Sequence, residues 1–401
     1  MARKRPHFNS DEKRNILIFS FILFFRMFSV FIILPLFSYL AVGLADATPF
    51  LVGLAFGAYG LTQGLFQVPF GLWSDITSRK KALLCGLLLF SAGSLLSALS
   101  DSIHLMILGR LLQGTGAVSA IIFAMIADGS RPEVRTSANA FLGMSIGLAF
   151  ILSFIFAPLI ANYTDLQGIF LIIFFLSIIC FVIAAWLIKD APREEKERHS
   201  VGKYLKTALK QRAVYEIYFG AFVVGFSLTL FLFNTQMDFR TFDLDKEALW
   251  KIYVPVLLIS TPVMFASAFR AQKHYKFKEV INGGIYVLAI TYLFYLFSLL
   301  FNQELMMSVI TLVLFFVAFN FFEPIFPSLL TIKVDQTVKG TASGYFNLCQ
   351  FFGNFTGSLI AGLFFQIDRT IPLYIGLFLI LGFYLLNRAA TNPIKAAKPV
   401  A

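Results

Sequence analysis

Charge is the scarcest property of this 401-residue chain: Asp, Glu, Lys and Arg make up 14% of it, little more than half the share common in soluble domains. Histidine occurs four times and cysteine three times. His7, His104, His199 and His274 fall in tails or links, and Cys85, Cys180 and Cys349 fall in apolar stretches without metal-type spacing. Neither a metal centre nor a disulfide framework is implied. No glycine-rich nucleotide loop is present, which argues against ATP-driven work by this chain alone. Ser, His and acidic groups are scattered, so no enzyme activity and no cofactor are expected.

Abundant instead are apolar residues, 58% of the chain, with a mean hydropathy of +0.79. Runs of about 20 such residues, the length a helix needs to cross a bilayer, recur along the whole sequence. Twelve spans are read, at 15–43, 49–72, 82–100, 104–127, 136–162, 168–189, 214–236, 248–269, 280–301, 305–330, 340–365 and 371–388. Closed barrels need alternating strands of only about 10 residues, so the fold class is an all-α membrane protein. Basic residues collect in alternate links, as they do in cytoplasmic loops. With the N-terminus cytoplasmic, only Arg240, Lys246, Lys251 and Arg369 fall in or beside outer loops, and Arg26 and Arg110 fall inside spans. The net charge of +11 is therefore an orientation signal, and nucleic acid is not an expected partner. The opening "MARKRPHFNSDEKRN" lacks a secretory cleavage site and reads as a retained cytoplasmic tail. Both termini are expected in the cytoplasm, and the protein in a plasma membrane such as the bacterial inner membrane.

A polar link at 190–213 divides the chain into a tail at 1–14, a six-helix bundle at 15–189, the linker itself, a six-helix bundle at 214–388 and a tail at 389–401. The mixed charge of the linker suggests a short amphipathic helix on the membrane surface. "RTSANAF" at 135 opens the fifth span and "KGTASGYF" at 339 opens the eleventh, while "FRAQKHYKFK" at 269 occupies the place in the second half that "GLWSDITSRK" at 71 has in the first. These echoes fit a duplicated transporter with two pseudo-symmetric halves.

Gly71, Asp75, Arg79 and Lys80, between the second and third spans, resemble the signature loop G-x-x-x-D-R-x-G-R-[RK] of the major facilitator superfamily. "LGRLLQGTGA" at 108 is similar to the fourth-helix signature R-x-x-Q-G-x-G-x of its twelve-helix drug:proton antiporter branch. "FRMFSVFIILPLF" at 25, "FNFFEPIFPSLL" at 319 and "KGTASGYFNLCQFFGN" at 339 resemble the YajR-like members of that branch. The sequence departs from the pattern at Ile76, where a basic residue is usual, and at Ser78, where glycine is usual. The fifth-helix antiporter signature would align through Pro158, but Met144, Ser153, Ala157, Ala161 and Asn162 stand at its glycine positions. YajR-like proteins also carry a soluble C-terminal domain, whereas this chain stops at 401.

The resemblance implies that Asp75 sits against the N-terminal end of the eleventh helix, near Gly340. Arg79 and Lys80 would hold Asp75 or reach Asp128, making a conformational latch; alternatively the basic residues only set topology. Ionisable groups inside a bilayer cost about 2.5–3.5 kcal/mol each on insertion scales unless paired or facing a cavity, and three are read: Arg26, Arg110 and Glu323. Arg26 is about 16 Å into the first span and Glu323 about 12 Å from the end of the tenth, at 1.5 Å per residue. The resemblance places both helices on a central cavity, so an ion pair that opens during the cycle is expected. Glu323 is the candidate for a coupling proton, with a permanent pair or a snorkelling side chain as alternatives. Pro324 and Pro327 suggest a broken helix there. Arg110 lies one turn from Gln113 and five turns before Asp128. The resemblance implies a part in proton movement or helix orientation, and snorkelling is the alternative.

Ser343, Asn347, Gln350 and Asn354 form a polar stripe along the eleventh span. It either lines a cavity or pairs with neighbouring helices. With Gln113, Asn320 and Asn234, it supplies the candidate substrate contacts; Gln236 is a further candidate. The expected function is secondary active transport of a small molecule by a monomer in the lipid bilayer. Proton-coupled efflux of a drug or metabolite, a siderophore for example, leads. Proton-coupled import of a polar nutrient is the alternative, and a transporter-derived sensor or scaffold a third reading.

Overall fold

The computed structural model describes residues 7–188, 214–274, 276–301, 303–334 and 339–390. Among these the fold is helical, with no strand and a single bridge from Ala45 to Ser102. The first part of the chain forms α1 (Ser10–Phe31), α2 (Phe37–Ala41), α3 (Pro49–Ile76), α4 (Arg79–Ala98), α5 (Ile103–Thr115), α6 (Ser119–Gly129), α7 (Pro132–Ala161) and α8 (Leu166–Leu187). The second forms α9 (Tyr215–Thr241), α10 (Trp250–His274), α11 (Phe277–Phe301), α12 (Leu305–Phe322), α13 (Ile325–Lys333), α14 (Lys339–Phe364) and α15 (Ile371–Ala389). The expected linker at 190–213 lies outside the described residues.

Local chemistry sets the helix starts. Asn9 and Glu12 form a capping box at α1, and the side chains of Ser78, Ser102 and Asp165 accept from Lys81 N, Leu105 N and Gly168 N at α4, α5 and α8. Eleven of the helical segments among the described residues are long and apolar enough to cross a membrane. The span expected at 340–365 is the 26-residue α14, whose polar stripe lowers its hydropathy.

Three expected spans are interrupted. The first, read as continuous over 15–43, stops at Phe31, because Pro35 has no N–H and restrains the residue before it. The fourth, read over 104–127, breaks at Gly116, where Ala117 N bonds to Thr115 O (2.9 Å) and Val118 N to Gly116 O (3.0 Å) in two successive tight turns. The five-turn face from Arg110 to Asp128 therefore does not exist, since the two residues lie on different helices. The tenth breaks at Glu323–Pro324, as its prolines suggest.

The chain forms two compact units, Met1–Asp46 with Thr62–Lys196, and Ala47–Leu61 with Glu197–Ala401. The start of α3 thus belongs with the second unit, where it seats on α14 so closely that a Cβ on Gly53 would lie 2.3 Å from Ser358 O. The core of the first unit joins Phe19 and Leu23 to Phe70, Leu87, Ile121, Leu142 and Cys180. In the second unit α9 is buried at every residue from Val223 to Phe239. It crosses α14 with so little clearance that a Cβ on Gly353 would lie 2.2 Å from Phe222 O.

Candidate functional site

In the first unit, Arg26 is 3% exposed on α1. Its Nη2 donates to Gly116 O at 3.0 Å and to Gln63 Oε1 at 3.5 Å, and its guanidinium lies 3.6 Å from the centre of the Phe90 ring. Gln63 in turn donates to Gln67 Oε1. A carbonyl at the end of α5 carries the negative end of the helix dipole, so a guanidinium there caps it. Arg110, 2% exposed, donates to Gln113 Oε1 and has the rings of Phe37 and Phe170 within 6 Å. Gln113 is fully buried and donates to Ser94 Oγ at 2.9 Å. The burial of Arg110 within the unit excludes the snorkelling alternative. Gln113 is enclosed by protein partners rather than open to a ligand.

Arg79 meets both expected acids: its Nη1 is 3.1 Å from Asp75, and its Nε donates to Asp128 Oδ2. Lys80 meets neither, because its ammonium reaches Ala185 O at 2.7 Å and ties α4 to the end of α8. Gly71 has open space where a side chain would stand, and its carbonyl accepts from Ser74 Oγ.

In the second unit, Glu323 caps α12 with helical dihedrals and is exposed. Among the described residues of the unit no hydrogen bond or ion pair reaches its carboxylate. Asn320, one turn earlier, is 8% exposed, and its side-chain amide has no partner among the described residues. Pro324 removes the helical donor to Asn320 O, and Ser267 Oγ from α10 replaces it at 3.2 Å. Asn347 and Gln350 on α14 are half-buried, with no side-chain hydrogen bonds among the described residues. The buried Asn354 Oδ1 likewise lacks a partner. Asn234 differs, being 2% exposed with its amide bonded to Leu230 O of its own helix, and Gln236 is fully buried. The expected Arg26–Glu323 pair joins residues of different units and stays a proposal.

Sequence reasoning missed a buried charged cluster in the second unit. Asp238 of α9 is fully buried and accepts from Tyr295 Oη (2.7 Å), Ser308 Oγ (2.7 Å), Gln303 Nε2 (2.6 Å) and Arg369 Nη2. Arg369, read above only as a loop residue, also donates to Tyr295 Oη and lies over the Phe365 ring. The neighbouring Asp368 accepts from the hydroxyl and N–H of Thr370, which lowers its pKa and shapes the link that carries Arg369. Two further buried acids have cations, Glu216 with Lys333 and Glu12 with Arg131. The signal available in sequence was an acid near the end of an apolar run. Its partner lies 131 positions away, and no local pattern links the two.

Two units of apolar helices, each with its fourth span interrupted, match a known profile: that of the Major Facilitator Superfamily, over residues 19–358. The chain belongs to that superfamily. As a superfamily member it is a multi-pass membrane transporter and not an enzyme. Its relatives include the inner membrane transport protein YajR of Escherichia coli, 32% identical over 344 residues, covering 84% of this chain and 74% of YajR. An uncharacterized transporter of Buchnera aphidicola is 33% identical over 355 residues, covering 87% and 90%. Multidrug resistance protein 2 of Bacillus subtilis is 24% identical over 356 residues, covering 82% and 84%. Among solved structures, a D-xylose-proton symporter matches with a TM-score of 0.77 at 14% identity, covering 96% of this chain and 99% of the symporter, a likeness of fold.

Proposed function

We propose that this superfamily transporter moves a small drug-like molecule or metabolite out of the cell in exchange for protons, by alternating access, as a monomer in a bacterial inner membrane with both termini cytoplasmic. The observation that carries the reading is Glu323, an acid at the break of a membrane span whose carboxylate has no partner among the described residues of its own unit. Such a carboxylate can take up and release a proton as its surroundings change. Efflux is favoured by the relatives named multidrug resistance proteins. Asn347, Gln350 and Asn320 are the groups that would meet the solute, and Arg79 with Asp75 and Asp128 would form the latch. In proteoliposomes with an imposed pH gradient and an internal pH dye, solutes are added one chemical class at a time. The reading predicts solute-dependent proton flux opposite in direction to the solute, lost in Glu323→Gln. Full pH-driven transport by that variant would refute the coupling role. A second reading, proton-coupled uptake of a polar solute, is favoured by the unpartnered amides of α14, and co-directional flux would select it.

A further inference from the structure

The fourth span of each half is interrupted, but the two breaks are completed differently. In the first unit, Arg26 brings a guanidinium to Gly116 O at the end of α5. In the second, α12 ends at Phe322 and its negative dipole end is followed by the Glu323 carboxylate, so negative charge is added to negative potential. Among the described residues no Lys or Arg of that unit pairs with Glu323.

Three oxygen acceptors without a donor among the described residues belong to this turn: the Glu323 carboxylate, Asn320 Oδ1 and Glu323 O. Asn320 and Glu323 are three residues apart and share a helical face. Asn320 is 92% buried, since its exposure is 8%, and its side-chain oxygen has no donor among the described residues. Pro327 lacks an N–H, so Glu323 O loses the donor that a continuous helix would supply. Ser267 makes good the matching loss at Asn320 O, but no side chain among the described residues does so at Glu323 O. Interrupted membrane helices offer C-terminal ends and freed carbonyls of this kind to small cations.

We propose that the turn between α12 and α13 binds a monovalent alkali cation, through the Glu323 carboxylate, Asn320 Oδ1 and Glu323 O. The single carboxylate matches a single positive charge. Among the described residues no group of three or more His, Cys, Asp or Glu exists to favour a divalent or transition metal. The bound cation does for α12 what Arg26 does for α5. This goes beyond the transport reading, and it holds whether or not a proton drives the flux.

The test is equilibrium binding of radioactive sodium to the purified full-length protein, with choline chloride holding ionic strength constant. Saturable binding at about one ion per chain, displaced by unlabelled sodium chloride, is expected. Glu323→Gln should weaken it about tenfold or more and Asn320→Ser several-fold, each read as a shift in Kd, while Ser145→Ala on α7 leaves it unchanged. Potassium chloride competition ranks the two ions. Absence of saturable binding in the wild type overturns the proposal, as does wild-type affinity in a folded Glu323→Gln. Should that variant fail to fold, unchanged affinity in Asn320→Ser overturns it. Failure of the transport reading is separate, because it would appear as missing solute-dependent proton flux in sodium-free buffer.

Discussion

Replacing Asp238 by Asn changes one atom in the second unit and should unsettle the whole cluster around it. All four neighbours of the carboxylate donate to it: Arg369 and Gln303 to Oδ1, Tyr295 and Ser308 to Oδ2. An amide puts its own N–H groups against one of these pairs and leaves the Arg369 charge uncompensated whichever way it turns. Removing one partner of a buried, hydrogen-bonded charge pair costs about 3–5 kcal/mol. At roughly 2–4 °C per kcal/mol for a unit of this size, the apparent Tm should fall by roughly 6–20 °C. Asp75→Asn is the control. Asp75 is 58% exposed beside Arg79, and its pair is worth less than about 1 kcal/mol. Thermal unfolding in detergent with a thiol-reactive dye is a suitable assay, because Cys349 lies half-buried in the same unit as Asp238. Arg369→Gln added to Asp238→Asn removes the stranded charge and should recover part of the loss. A Tm for Asp238→Asn within about 2 °C of wild type would refute the claim that the cluster is a buried ionic tie.

Other substitutions test separate contacts. Gly353→Ala forces a methyl to within 2.2 Å of the Phe222 backbone, and because α9 is buried all round it should cost at least about 1–3 kcal/mol, visible as a lower Tm and loss of monodisperse protein. Arg26→Lys keeps a charge that can reach Gly116 O but cannot also lie flat on Phe90 and reach Gln63, so stability should rank wild type, then Arg26→Lys, then Arg26→Gln; equal melting of wild type and Arg26→Gln would reject the capping role. Asn347→Ala and Gln350→Ala remove no side-chain hydrogen bond among the described residues, so melting should stay within about 0.5 kcal/mol of wild type while the KM for the solute rises in flux assays.

Class and helix count were legible because the bilayer demands long apolar runs, and this chain has little else. The breaks were harder. Pro324 announced its interruption because proline deletes a specific donor, whereas the break at Gly116 depends on how the chain turns after Thr115, and Arg26 stabilises it from 90 positions away. Arg79 could be placed beside Asp75 because the signature loop sets them four residues apart across the tight link between α3 and α4. Lys80 could not, because its acceptor, Ala185 O, is a backbone atom with no sequence signature. The polar stripe of α14 was visible as a period. Which of its members lack partners depends on what the neighbouring helices present: Thr229 donates to Asn354 O, and among the described residues no hydrogen bond reaches the Asn347 side chain.

The placement of charge narrows the functional question further than motif or composition does. A charged group among membrane-spanning helices is costly unless something opposes it, and each acid buried among the described residues has its opposing group. Glu12 meets Arg131, Glu216 meets Lys333, and Asp238 meets Arg369. Each of these pairs joins helix ends or links within one unit, where a fixed tie suits a body that moves as a whole. Glu323 differs: it is exposed where its helix is interrupted, an amide lies one turn away, and no cation among the described residues of its unit pairs with it. In the proposed reading its opposing charge is a proton, an ion or a solute, and a group whose partner comes and goes can couple binding to movement. The fixed pairs and the open acid are therefore expected to separate in experiment. Substitutions at Asp238, Glu216 or Glu12 should lower stability and leave ion dependence unchanged in whatever protein still folds, whereas substitution at Glu323 should change ion dependence with little loss of stability.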